Sequence, residues 1–175
     1  MLKLRGIVKS YGDRRVLDDV SFDVAPGRLT GFVGGNGAGK TTTMRIVLGL
    51  LAHEAGEVSL GGQALTPAAR RDFGYMPEER GLYPKMKVLE QIVYLARLHG
   101  FSKQDATDSA TALLEQLGLG ERLGDNVEAL SLGNQQRAQI AAALVHEPQV
   151  LILDEPFSGL DPLAGDVGAG VPQDR

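Results

Sequence analysis

The chain has 175 residues, 43% of them apolar and 23% charged, which is the balance of a globular protein with room for one domain and a core. A net charge of −4 without any Lys/Arg cluster excludes non-specific attraction to nucleic acid. Cysteine is absent, so disulfides, thiolate catalysis and cysteine-type zinc sites are excluded, and no run approaches the roughly 18 apolar residues of a membrane span.

Residues 1–6 carry charges and lack an apolar h-region, so they do not read as a secretory leader. Residues 2–8 and 20–24 alternate imperfectly and predict strands, with a turn at Tyr11-Gly12-Asp13 between them. Pro26-Gly27 is a second turn. It leads into Leu29-Thr30-Gly31-Phe32-Val33, which reads as a buried strand, and then into Gly34-Gly35-Asn36-Gly37-Ala38-Gly39-Lys40-Thr41. A helix follows from Thr42 to Leu48. Residues 57–60 and 63–65 predict a hairpin across Gly61-Gly62. Phe73–Met76 is a short apolar run closed by Pro77.

The middle of the chain changes period. Val88, Leu89, Ile92, Val93, Leu95, Ala96 and Leu98 follow helical spacing up to Gly100. Ser102 with Asp105 three residues on reads as a capping box, and Ala106, Ala110, Leu113, Leu114 and Leu117 continue in steps of three and four to Gly118. Residues 79–130 therefore read as a helical insert between two α/β segments. An alanine-rich helix is expected over 134–146, ended by Pro148. Val150-Leu151-Ile152-Leu153 then predicts a strand buried on both faces, with Asp154-Glu155 at its carboxyl end. That is where a parallel α/β sheet puts its site. The tail, 165–175, holds Gly165, Gly168, Gly170 and Pro172, has little to anchor it, and is expected to be disordered.

Two constellations carry chemistry. The stretch from Gly34 to Thr41 fits G-x-x-x-x-G-K-[ST]: glycines let successive backbone N–H groups converge on one anion, and the next helix adds its dipole. Lys40 reaches β- and γ-phosphates, and Thr41 ligates Mg²⁺. Asp154 would hold the same cation. Glu155 would polarise a water for in-line attack at the γ-phosphate. A carboxylate pair merely ending a strand is the plainer alternative.

The order of these motifs resembles the nucleotide-binding subunit of an ATP-binding cassette (ABC) transporter over residues 1–164. The resemblance implies an α/β P-loop NTPase fold with an antiparallel β-subdomain and a helical insert, the sheet being incomplete at the carboxyl end. Tyr11 matches the aromatic residue that stacks on adenine, although a core tyrosine would read the same way. Leu130-Ser131-Leu132-Gly133-Asn134 is similar to the signature motif Leu-Ser-Gly-Gly-Gln. Its Ser131 and Gly133 would meet the γ-phosphate of ATP held by a second subunit; here Leu132 and Asn134 depart from the usual residues. Glu78 stands where the family has a glutamine that meets Mg²⁺ or water, and a solvated carboxylate is its alternative. Ser158-Gly159-Leu160-Asp161 matches the D-loop. The run from Glu78 to Met86 looks like the ABC-2 exporter branch.

The resemblance thus implies ATP and Mg²⁺ as cofactors. Gly34, Gly35, Asn36, Gly37, Ala38, Gly39, Lys40, Thr41 and Thr42 would bind nucleotide, and Thr41, Asp154 and Glu78 would surround the metal. Lys40 and Glu155 would be catalytic. The implied partners are a membrane-embedded permease and a second ATP-binding subunit, with no nucleic acid, at the inner face of the cell membrane. The family's switch histidine has no counterpart up to Arg175; His53, His99 and His146 lie elsewhere, so the chain reads as C-terminally truncated. Two other readings stay open: a module that binds ATP without turnover, and an ABC ATPase acting on ribosomes or DNA. Transport substrate and direction are not legible.

Overall fold

The computed structural model describes residues 1–79 and 81–156. The tail and the Ser158–Asp161 motif lie outside the described residues. Two compact units emerge, one from Met1–Tyr75 with Glu147–Asp154, the other from Met76–His146 with residues 155–156. No helix among the described residues is long and apolar enough to cross a membrane.

The first unit is built on an antiparallel sheet. Strands β1 (Leu2–Tyr11) and β2 (Arg14–Val24) form a hairpin across Gly12-Asp13, and β3 (Ala55–Leu60) and β4 (Gln63–Ala64) form a second across Gly61-Gly62. The order is β2-β1-β3-β4. Register sets the core: Leu2 pairs with Val24 and Leu60, and Leu4 with Phe22 and Val58, so the period-2 apolar positions share a face. β1 and β2 run longer than the alternation predicts because irregularities after Leu4 and after Ile7 reset the phase. At one of these sites Gly56, at φ 94°, meets the β1 backbone so closely that a Cβ would lie 2.4 Å from the Gly6 carbonyl oxygen. Helix α1 (Lys40–Val47) adds Ile46 and Val47 to this core.

Glu54 fastens the entry to β3. Its carboxylate accepts the Ser10 backbone N–H at 2.7 Å and the Ser10 hydroxyl at 3.2 Å. The backbone hydrogen bond, opposed by desolvation and helped by that hydroxyl and by Lys9 and Arg15, holds its pKa below the usual value.

Strands β5 (Phe73–Met76) and β6 (Val150–Leu153) make a separate two-stranded sheet. Two expectations are corrected here. Residues 29–33 form no strand, and Leu29 and Val33 are 98% and 96% exposed. A strand buried on both faces needs a ladder beside it, and no described strand pairs with this segment; the Phe32 ring lies 5.3 Å from that of Phe22. For the same reason β6 is not buried on both faces: Leu151 is 38% exposed in a sheet of two strands.

The second unit is helical, with α2 (Val88–Leu98), α3 (Lys103–Gln116) and α4 (Leu132–Leu144). Ser102 caps α3 by accepting the Asp105 N–H, as the capping box requires. Val88, Ile92 and Ala96 of α2, Ala106, Ala110 and Leu114 of α3, and Ala138 and Ala141 of α4 meet in one core. Spacings of four in α2 and α3 and of three in α4 put them on one stripe of each helix.

A buried glutamine organises the approach to α2. The Gln91 side chain accepts the Tyr83 N–H at 2.7 Å and donates to the Tyr83 carbonyl at 3.3 Å. Backbone bonds from Val127 to Met86 and from Glu128 to Pro84 stitch the same loop down. Gln91→Leu leaves the Tyr83 N–H unserved and leaves its carbonyl with the Met86 N–H alone. We expect it to lower stability by about 1–3 kcal/mol in urea denaturation, with an unchanged m-value.

Candidate nucleotide-binding site

The phosphate loop is set by the residues that bracket it. Ala38 donates its N–H to the Gly35 carbonyl at 3.1 Å, closing a tight turn. Gly39 then takes φ 86° as the N-cap of α1. A Cβ there would stand 2.5 Å from Leu17 Cδ2 and 3.2 Å from the Val16 carbonyl, so only glycine lets the loop lie this close to β2.

The Lys40 ammonium donates to the Gly34 carbonyl at 2.8 Å and reaches the Gly35 carbonyl at 3.5 Å. It thus lies folded over its own loop, where a phosphate would take over those contacts. Three threonines follow. Thr43 is buried, with its hydroxyl donating to the Gly39 carbonyl at 2.9 Å. Thr41 and Thr42 are half-buried, and their hydroxyls have no hydrogen bond among the described residues. Gly34, Gly35, Asn36, Gly37 and Ala38 are exposed.

Tyr11 is 51% exposed, which removes the core-tyrosine alternative. It ends β1 at the hairpin, with the Lys9 ammonium 5.5 Å from its ring centroid.

Asp154 is the sharpest feature. It is 1% exposed, directly after β6, and neither carboxylate oxygen has a hydrogen-bond partner among the described residues. Removing a carboxylate from water without a partner is costly, so such a group calls for a cation. Its hard oxygen donors, with the hydroxyl of Thr41, suit Mg²⁺. Tyr11, residues 34–42 and Asp154 all belong to the first unit.

The remaining candidates belong to the second. Glu155 is exposed and adopts φ 49°, a left-handed conformation uncommon for a non-glycine residue and enriched at functional sites. Glu78 is exposed too. Ser131 caps α4, accepting the Asn134 N–H at 3.4 Å. Its hydroxyl proton is uncommitted among the described residues, at the positive end of a 13-residue helix. Gly133 lies in the first turn of that helix.

Sequence reasoning passed over the supports. Gln136 and Gln139 are buried on α4. Gln136 donates to the Pro156 carbonyl and Gln139 to the Glu79 carbonyl at 3.3 Å, so α4 holds the backbone beside both Glu155 and Glu78. Two glutamines three apart among buried alanines were the available signal.

A family model described as ABC transporter matches residues 17–158. The ABC transporter ATP-binding protein YhaQ of Bacillus subtilis (strain 168) is 46% identical over 163 residues, covering 93% of this chain and 55% of the relative. The Nod factor export ATP-binding protein I of Paraburkholderia xenovorans (strain LB400) is 41% identical over 161 residues, or 90% of this chain and 53% of the relative. The linearmycin resistance ATP-binding protein LnrL of Bacillus subtilis (strain 168) is 37% identical over 165 residues, with coverages of 93% and 53%. The chain thus spans about half the length of the curated relatives it matches. A solved structure described as the ATP binding subunit of an ABC transporter superposes with a TM-score of 0.80 at 35% identity, covering 94% of this chain and 70% of that one. The chain belongs to the ABC transporter family of ATP-binding proteins.

Proposed function

We propose that the chain is the ATP-binding and ATP-hydrolysing part of an ABC exporter, working with Mg²⁺ and a membrane-embedded permease subunit. The observation that carries the reading is Asp154, buried with both oxygens unpartnered in the unit that also holds the phosphate loop. Bound Mg²⁺ would neutralise charge on the β- and γ-phosphates. Asp154 and the Thr41 hydroxyl are the residues to hold it, with Glu78 as a further oxygen donor. Lys40 would leave the Gly34 carbonyl for the phosphates, and Tyr11 would stack on adenine. Glu155 would take a proton from the attacking water.

Ser131 and Gly133 are assigned to a second copy's nucleotide. A hydroxyl at a helix N-terminus suits a phosphate, and the family resemblance puts that phosphate on a second subunit. ATP binding would close that dimer and hydrolysis would release it. The domain is proposed to comprise residues 1–164, with the helical subdomain at about 79–130. It would sit in the cytoplasm against the inner face of the membrane.

The permease contact is proposed at the start of the helical unit. A cavity of about 640 Å³ is lined by Tyr83, Pro84, Lys85, Met86, Glu90 and Glu128. Tyr83 is 64% exposed on a loop that Gln91 holds rigid, a firm seat for a short helix from the permease. Export as the direction follows the relatives named for Nod factor export and linearmycin resistance.

Phosphate release from Mg-ATP and co-purification with a polytopic membrane protein test the proposal together. Lys40→Ala is expected to weaken ATP binding by about 10-fold or more, the worth of a charge-assisted contact, and to stop release. Unchanged release in Lys40→Ala, or enrichment with ribosomes in place of a membrane protein, counts against it.

A further inference from the structure

We propose that Arg14 is a second cationic contact to the phosphates of the nucleotide, alongside Lys40. The inference rests on reading residues 34–41 as the ATP site. Arg14 opens β2 directly opposite Tyr11, across the two-residue turn of the hairpin. Its guanidinium extends to the phosphate loop: a Cβ on Gly37 would lie 3.5 Å from Arg14 Nη2.

The charge is uncommitted. Arg14 is exposed, and its side chain has no hydrogen bond or ion pair among the described residues. Its neighbours differ. Arg15 pairs with Asp18 at 2.9 Å, and Arg5 with Asp23 at 2.5 Å. A guanidinium without a carboxylate, held against a loop whose glycines converge N–H groups on an anion, is set for phosphate oxygens. Its planar fork can donate two parallel N–H bonds to them, a geometry the Lys40 ammonium lacks.

The hairpin gives the arrangement its logic. Tyr11 and Arg14 are cross-strand partners, so a single turn fixes the spacing between the ring that stacks on the base and the cation that meets the phosphates. The base and phosphate ends of the ligand are thereby read by one rigid element.

The test is calorimetric titration of the full chain with ATP, ADP and adenosine in the presence of Mg²⁺. Arg14→Ala is expected to weaken ATP and ADP binding by about 10-fold while leaving adenosine binding unchanged. Arg14→Lys should recover part of the loss, and Arg15→Ala should bind ATP as the wild type does. Wild-type ATP affinity in Arg14→Ala, with affinity lost in Lys40→Ala, overturns the role of Arg14 and leaves the ATP site standing. An equal loss for adenosine also overturns it, because Arg14 would then only brace the hairpin under Tyr11. No ATP binding by the wild-type chain overturns the site itself.

Discussion

Glu155→Gln is expected to slow phosphate release by a factor of about 10²–10⁴ while ATP still binds. The glutamine keeps the shape of the side chain and loses its capacity to take a proton. Glu155 follows the buried Asp154 and precedes Pro156, whose carbonyl accepts from Gln136 on α4. Its left-handed φ of 49° is maintained at a strain of roughly 1–3 kcal/mol, which a fixed direction for the carboxylate explains. Since binding survives and release does not, the variant should accumulate as an ATP-bound dimer in size-exclusion chromatography. Phosphate release at the wild-type rate would remove Glu155 from the reaction.

Asp154→Asn should act in opposite directions on the empty and the loaded protein. The wild-type chain holds a carboxylate at 1% exposure with both oxygens unpartnered among the described residues. A neutral amide of the same shape costs less to bury than an ion. The melting temperature of the nucleotide-free variant is therefore expected to equal or exceed that of the wild type. With Mg-ATP the order reverses. Ligand that binds only the folded state raises the melting temperature, and the variant should lose most of that rise together with turnover, by about 100-fold or more. Differential scanning fluorimetry with and without Mg-ATP reads both arms. A variant less stable than wild type in the absence of nucleotide would mean that the carboxylate has a structural role.

The chemistry was more legible than the sheet that carries it. The loop of residues 34–41, Ser131 and the Asp154-Glu155 pair all stand out because each needs particular residue types in a fixed local order. The helices of the second unit were legible too, because the spacing of Val88, Ile92 and Ala96 reports one face directly. Strand burial was not. Leu29–Val33 has the composition of an interior strand, but composition says nothing about which ladder is present beside it. Arg14 and Gln91 escaped for a related reason: what matters about each is a contact with a loop, at Gly37 and Tyr83, that no periodic pattern announces.

The two glutamines of α4 have a consequence for how the chain tolerates change. Both tethers run from neutral amides to main-chain carbonyls, at Pro156 and Glu79. Neither acceptor depends on the residue that bears it, and neither bond carries a net charge for salt to screen. Substitution at positions 79 and 156 can therefore proceed without loosening α4, whereas positions 136 and 139 admit few replacements. The burden of keeping the two carboxylates' backbones in place falls on one helix, and it should hold across ionic strengths that would weaken an ion pair.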